Sequence, residues 1–293
     1  MALATNYELK LGAATREAFG RALVEVAREN ANVVGCDADL SKSTMMTYFA
    51  KEFPARFFEC GIAEANMVAL GAGLAMTGKI PFVSSFSCFV MNKGFEQLRT
   101  TAAYPGVNLK VVGTHSGISI GEDGPSQMSI EDLALACALP GFTVISPADE
   151  VATRAAVLWA AAHFGPVFLR TGRAKVPLIY PPGANIEIGR PYELLPGRDV
   201  TLVAHGMMVA ECIRAAAARE TGVMVVAEEH LVDSGLGVRV AQALARHAPA
   251  PIEFIGLETY AESGTPAGVP AKYGLTSANI VAAARRAMAR KAG

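Results

Sequence analysis

An acid that opens a long, nearly uncharged helix is the first candidate for chemistry in this sequence. Glu64 lies in Glu59-Cys-Gly-Ile-Ala-Glu-Ala-Asn-Met67, and the apolar stretch that follows it runs to Gly78. A carboxyl group in such a setting is suited to proton exchange with a partner that shares its proton. An acid held at a helix start by the dipole is the plainer alternative. Three more clusters follow other apolar runs. Ser85-Phe-Ser-Cys-Phe-Val-Met91 sets Phe86 and Phe89 three apart, giving one aromatic edge if the segment is helical. A flat heteroaromatic ring could stack there, and two core phenylalanines would give the same pattern. Thr114-His-Ser-Gly-Ile-Ser-Ile-Gly-Glu-Asp-Gly-Pro-Ser-Gln-Met128 gathers His115, Glu122, Asp123 and Gln127 in a Gly-rich loop of functional length. His115 alone could equally cap or fill a core, and the spacing lacks the alternating oxygen ligands of a calcium loop. Finally, Thr171-Gly-Arg173 brings a guanidinium suited to phosphate or carboxylate. A surface salt bridge is the alternative for Arg170 or Arg173.

The elements that must position these residues alternate in kind. A helix over Ala13–Ala31 leads to the strand Val33–Cys36 and the acidic loop Asp37–Ser41. Strands then follow at Phe57–Cys60, Ile80–Ser84, Leu109–Gly113, Phe142–Ser146 and Val167–Arg170. Between them lie helices at Ile62–Met76, Cys88–Ala103, Ile130–Ala138 and Asp149–His163. Strands that read as continuous apolar runs indicate a parallel sheet covered on both faces, and such sheets bind ligands beyond the strands' carboxyl ends. Prolines and glycines between Lys175 and Arg198 mark a linker. Beyond it, strands Val200–Ala204, Val223–Ala227 and Phe254–Leu257 alternate with helices Met207–Glu220, Gly237–His247 and Ser277–Lys291. The fold class is therefore α/β, with two doubly wound, mainly parallel-sheet domains. Their expected bounds are 1–180 and 199–293, joined by a linker at 181–198.

Composition sets limits on function. The chain has 293 residues, 52% hydrophobic and 18% charged, which suits a globular protein of two domains. Twenty-six basic against 27 acidic side chains leave a net charge of −1, with no footprint for nucleic acid or a polybasic membrane surface. The five cysteines are odd in number and none forms a Cys-x-x-Cys pair, which points to free thiols in a reducing, cytoplasmic compartment. The lead, with Glu8 and Lys10, is not that of a secretory signal, and no uncharged run is long enough to span a membrane.

Taken together and in order, Gly61-Ile-Ala-Glu-Ala-Asn-Met67, Ser84-Ser-Phe86, Thr114-His115, Gly121-Glu-Asp-Gly-Pro-Ser-Gln127, Ser146-Pro147, Leu169-Arg-Thr-Gly-Arg173, Glu228-Glu-His230 and Glu262-Ser-Gly264 resemble the C-terminal half of transketolases. The resemblance covers almost the whole chain. It implies a pyrimidine-binding domain of a thiamine diphosphate enzyme, followed by a transketolase C-terminal domain. Glu64 would share a proton with the ring nitrogen of the aminopyrimidine and promote its imino tautomer, while Phe86 and Phe89 stack on the ring. His115 and Gln127 would bond the donor's hydroxyl groups, and Asp123 would fix a sugar hydroxyl. Arg16, Ser43 and Arg173 match positions that hold the sugar's phosphate, and Asp39 one that orders the cofactor or its partner domain. The implied reaction moves a two-carbon ketol unit from a phosphorylated ketose to an aldose.

Two departures shape the expectation. No Gly-Asp-Gly with a distant Asn is present to hold magnesium and the diphosphate, so the resemblance implies a split enzyme, a heterotetramer whose N-terminal subunit supplies that half of the site. The second domain is also short, since the helix from Met207 runs almost directly into Val223–Ala227, where the family has a further strand and helix. A 2-oxo-acid dehydrogenase beta subunit shares the Glu-bearing helix but is opposed by His115 and the Gly121–Gln127 loop. Deoxyxylulose phosphate synthase is a single longer chain, and a noncatalytic partner would have no need to keep Glu64 and both phenylalanines.

Overall fold

The computed structural model describes residues 9–197, 200–216, 223–247 and 249–292. The polar lead through Glu8, Arg198 at the linker's end and the stretch through Glu220 of the helix expected from Met207 lie outside these residues. The chain opens with β1 (Leu11–Ala14), α1 (Thr15–Glu29) and β2 (Val33–Asp37). Two short helices follow, α2 (Ser41–Thr44) and α3 (Thr47–Glu52), and then β3 (Phe57–Glu59), α4 (Glu64–Met76) and β4 (Ile80–Phe86). After α5 (Ser87–Lys93) and α6 (Phe95–Gln97), a π-helical turn over Leu98–Ala103 leads to β5 (Lys110–Thr114). The first domain is completed by α7 (Asp132–Ala138), β6 (Thr143–Ile145), α8 (Glu150–Ala162), β7 (Val167–Arg170) and β8 (Lys175–Pro177).

Six of these strands form one parallel sheet in the order β3-β2-β4-β5-β7-β6. Both faces are covered, and neighbouring residues on a strand go to opposite sides as the pleat requires. Phe82, Val112 and Leu169 pack with Phe19, Leu23, Phe49 and Val157 of α1, α3 and α8. Val83, Val111 and Phe168 pack with Met67, Val68, Val90 and Leu133 of α4, α5 and α7. This two-sided burial is why the strands read as unbroken apolar runs. The register puts Asp37 opposite Ser84, Phe86 opposite Thr114 and Gly113 opposite Arg170. The loops after β2, β4, β5 and β7 therefore leave the same carboxyl edge side by side.

The first domain departs in places from the sequence-based expectation. The helix expected over Cys88–Ala103 breaks at Gly94, where a Cβ would stand 2.6 Å from the Val90 carbonyl oxygen. Lys175–Pro177, expected within the linker composition, instead pairs antiparallel with β1.

In the second domain, β9 (Val200–Ala204), α9 (Met208–Ala216), β10 (Val223–Leu231), α10 (Leu236–His247), β11 (Ile252–Leu257), α11 (Gly268–Lys272) and α12 (Ser277–Ala292) build a parallel sheet ordered β11-β10-β9. Among the described residues it has three strands, in keeping with the expected shortening. β10 continues to Leu231 rather than ending at Ala227, so Glu228-Glu229-His230 lies on a strand. One apolar cluster joins the domains, with Ile118, Ile120, Met128 and Ile130 of the loop after β5 packed together with Met208, Val225, Ala227, Leu257 and Val269.

Candidate active site

Glu64 is the first residue of α4 and is 2% exposed. Gly61, at φ 67°, turns the chain from β3 into the helix, a conformation that suits glycine. One carboxylate oxygen accepts from Ser85 Oγ at 3.2 Å, and the other from Lys93 Nζ at 3.2 Å. Ser85 is on β4 and Lys93 ends α5, so two consecutive elements converge on the first residue of a third. The Lys93 ammonium also stands 4.3 Å from the centroid of the Phe89 ring. Phe89 stacks on Phe86 with centroids 5.6 Å apart and planes 12° from parallel, and Phe86 stacks in turn on His115 at 3.8 Å. A layered column thus runs His115, Phe86, Phe89, Lys93 beside the buried carboxylate.

His115 is 2% exposed and adopts φ 56°, a left-handed conformation unusual for a residue with a side chain. Its Nε2 lies 3.1 Å from Arg16 Nη1, and its Nδ1 lies 2.9 Å from Thr114 Oγ1. A guanidinium only donates, so Nε2 accepts and the proton sits on Nδ1. Burial, with Arg16 and Arg173 nearby, lowers the pKa of His115 to about 3, and the ring is neutral at ordinary pH. Arg16 Nη1 also donates to the Ser43 carbonyl oxygen at 2.7 Å. Burial first, and then Arg173, lowers the pKa of Arg16, which marks two guanidinium groups facing one region. Arg173 donates to the Ile120 carbonyl oxygen at 2.6 Å and pairs with Glu122 at 2.5 Å.

The expected residues are not all equally engaged. Glu64, Phe86 and Phe89 form one group, and His115, Arg16 and the Ser43 backbone another, joined through the Phe86–His115 stack. Asp123 is exposed on the loop, and its charge is felt at Arg16. Gln127 Oε1 accepts from Ser126 Oγ at 2.6 Å. Asp39 is exposed at φ 62°, and its amide donates to Glu59 at 2.7 Å. Of the two arginines at the end of β7 and beyond it, Arg170 closes the strand, is 5% exposed and is committed to Asp132 at 2.9 Å, which leaves Arg173 as the one near the loop. Asn92 Nδ2 bonds Glu131 at 2.9 Å.

Sequence reasoning missed Lys93, although it is the one charge on α5 and lies four residues after Phe89, a spacing that shares a helix face. It also missed Asp37. That carboxylate accepts from the Leu40 amide and from Thr44 Oγ1, both at 2.6 Å, and so folds the turn carrying Ser43; burial raises its pKa to about 7. His230 has a capping role: its Nε2 accepts from the Ala134 amide in the first turn of α7 at 3.4 Å, and its Nδ1 donates to the Leu231 carbonyl oxygen at 3.0 Å. His205, beyond β9, holds Ser146 at 2.9 Å. Among the described residues, no three His, Cys, Asp or Glu side chains converge as metal ligands, and no helix is long and apolar enough to cross a membrane.

Comparison with known proteins places this geometry in a family. The model of the transketolase pyrimidine binding domain matches residues 12–178. A Methanocaldococcus jannaschii protein with the provisional name transketolase C-terminal section is 39% identical over 257 residues, covering 78% of this chain and 81% of the relative. The 6-deoxy-6-sulfo-D-fructose transketolase subunit SqwH of Clostridium sp. (strain MSTE9) is 34% identical over 305 residues, covering 94% and 95%. A solved split-gene transketolase, described as an inactive beta4 tetramer, superposes with a TM-score of 0.87 at 42% identity over 95% of this chain and 99% of that one.

Proposed function

The chain belongs to the transketolase family as the C-terminal subunit of a split transketolase-type transferase, and on that premise we propose how its half of the site works. Its substrate is a phosphorylated ketose, from which a two-carbon ketol unit passes to an aldose. Its partner is an N-terminal subunit that holds the diphosphate and magnesium of a shared thiamine diphosphate, in a heterotetramer. Residues 1–180 are the pyrimidine-binding domain, 181–198 the linker and 199–293 the transketolase C-terminal domain. The five cysteines, all free, suit a reducing cytoplasm.

One observation carries the reading: a carboxylate 2% exposed, with its two oxygens reached by a hydroxyl and by an ammonium that also covers an aromatic ring. That donor set suits an aminopyrimidine, whose ring nitrogen needs an acid and whose face needs an aromatic neighbour. When bound, thiamine diphosphate supplies the electron sink that lets a carbon–carbon bond beside a carbonyl break. Glu64 holds the proton shared with the ring nitrogen, and its burial keeps water from competing for it. Phe86 and Phe89 exclude water from the ring's edge, and Lys93 gives up the place it holds on Phe89 and Glu64. Asp39 orders the loop that faces the partner.

The neutral His115 offers a sugar hydroxyl its Nε2 once Arg16 turns to the anion, and its protonation does not change between pH 5 and 9. Asp123 and Gln127 bind further hydroxyls from the outer side of the loop. Arg16, Arg173 and the turn at Ser43 provide two guanidinium groups for a terminal anion, and a phosphate or a sulfonate both suit that pair. The relative named for a sulfonated fructose makes the second worth testing. The test is co-expression with the N-terminal subunit, followed by a screen of phosphorylated and sulfonated ketose donors. Transfer from a phosphorylated donor that is lost in Arg16→Met supports the reading. Transfer that survives Arg16→Met and Arg173→Met together would overturn the assigned anion site.

A further inference from the structure

Three consecutive residues near the end of β10 are buried, and each addresses a different element. Glu228 accepts from the Leu236 and Gly237 amides at 2.7 and 2.8 Å and so caps α10. His230, on the same face of the strand, reaches α7. Glu229 alternates to the opposite face and, like His230, reaches the first domain, but at a loop rather than a helix. It is 5% exposed, and its Oε1 accepts from the Ser119 amide of the loop after β5 at 2.6 Å. Its carboxyl group fills the space above Gly117, where a Cβ would meet Glu229 Cδ at 2.1 Å.

The same loop is built on left-handed turns. It begins with His115 at φ 56° and continues with Gly117 at φ 76° and Gly121 at φ 79°. Of its early amides, Ser116 is satisfied from outside by the Thr171 carbonyl at 3.2 Å, and Gly117 across the loop by that of Ser129 at 2.7 Å. A residue other than glycine in the left-handed region persists only where its surroundings hold it there. Behind the loop is a cavity of about 30 Å³ that Ser116, Ser119, Thr171 and Glu229 help to line. Loss of the Glu229 side chain would enlarge that space and leave the Ser119 amide without its acceptor.

We propose that Glu229 is a positioning residue for the loop that presents His115, Asp123 and Gln127, and that holding this loop is what the second domain contributes to the transferase. The role as a sugar-binding loop rests on the function proposed above; the hold on the loop does not. Gly264 strengthens it by donating its amide to the Gly121 carbonyl oxygen at 3.3 Å, and Ser263 crowds Gly124.

Hydrogen exchange on the full chain, followed by mass spectrometry of peptides covering 115–128 and the strands β4 and β7, tests the hold directly. In Glu229→Ala the loop peptide should exchange at least tenfold faster, with the strand peptides unchanged. Glu229→Gln, which keeps an acceptor oxygen and the volume, should stay within threefold of the parent. In the complex with the N-terminal subunit, Glu229→Ala should raise the KM for donor and acceptor tenfold or more with kcat within threefold, and Glu229→Gln should rescue it. Loop exchange that Glu229→Ala leaves unchanged overturns the proposal. If Glu229→Ala instead loosens the whole chain, Glu229→Asp decides, because it keeps the carboxylate but draws it back from the Ser119 amide: an increase confined to the loop supports the proposal and a global one overturns it. Loop loosening in a complex that transfers nothing from any ketose would sink the sugar reading and leave the hold standing.

Discussion

Replacing Arg170 by Met tests the junction between the domains. Arg170 donates through Nε to Asp132 at 2.9 Å and through Nη2 to the carbonyl oxygens of Ser129 and Glu229 at 3.2 and 3.0 Å. Asp132 is fully buried, and without Arg170 it keeps the Ser87 hydroxyl at 2.7 Å and a neutral His230 at 3.8 Å. Removing one partner of a buried pair costs about 3–5 kcal/mol, because the remaining charge is left uncompensated. With a urea dependence near ~3 kcal/mol per molar, that is a fall of about 1–2 M in the midpoint, read from the single tryptophan, Trp159. The pH dependence sharpens the test. Burial opposes the charge on Asp132, yet Arg170 holds its pKa below the usual carboxylate value, so the parent keeps this stability above the unfolded pKa and loses it only as pH falls through the lower folded value. In the variant burial acts unopposed, the folded carboxyl holds its proton to higher pH, and the deficit should shrink between pH 8 and pH 5. Adding Asp132→Leu should recover part of the loss. A cost under about 1 kcal/mol that is the same at both pH values would refute the reasoning.

Two glycines of α4 should respond in opposite directions. A Cβ at Gly71 would meet Val83 at 2.5 Å and Leu109 at 2.9 Å, so Gly71→Ala should destabilise the chain by about 1–3 kcal/mol in thermal unfolding. Gly73 has nothing within 4 Å, and Gly73→Ala should add about 0.5–1 kcal/mol through helix propensity. His115 takes a proton near pH 6.5 when unfolded and only near 3 when folded, so the stability it contributes is complete above pH 6.5 and drains as pH falls. The advantage of the parent over His115→Gln should therefore decline by about 1.4 kcal/mol per pH unit between 6 and 4, measured as the difference of their urea curves. Coupling between Glu64 and Lys93, whose ammonium side is half-exposed, should come out at about 0.5–1 kcal/mol in a double-mutant cycle with Glu64→Gln and Lys93→Met.

The alternation of strands and helices was legible because strands such as Phe82–Ser84 and Val111–Gly113 are buried on both faces and therefore read as apolar runs. The pairing of Leu11–Ala14 with Lys175–Pro177 was not, since two very short strands far apart in sequence, one containing a proline, carry no local signal. Gly94 was absorbed into a longer helix because the apolar spacing continues through Phe95 and Leu98; only the fold shows that Val68 of α4 packs so closely there that a side chain would not fit. In the site, Glu64, Phe86, Phe89, His115 and Arg173 stood out by residue type and by position after strands. Lys93 did not, because a lysine on a helix is ordinarily a solvated charge and only the fold sets it against Glu64. Asp37 and Glu229 were hidden for a similar reason: each acts through backbone amides that become neighbours after folding.

The central claim is that Glu64 activates a cofactor that this chain only half encloses. The most direct measurement is the ketol-transfer rate of the chain alone, of the chain co-purified with the N-terminal subunit, and of that complex carrying Glu64→Gln, each with thiamine diphosphate and magnesium. The account predicts transfer by the complex alone, reduced by about 10²-fold or more in kcat in Glu64→Gln while the two complexes melt together. Turnover by the isolated chain, or a Glu64→Gln complex within threefold of the parent, would contradict it.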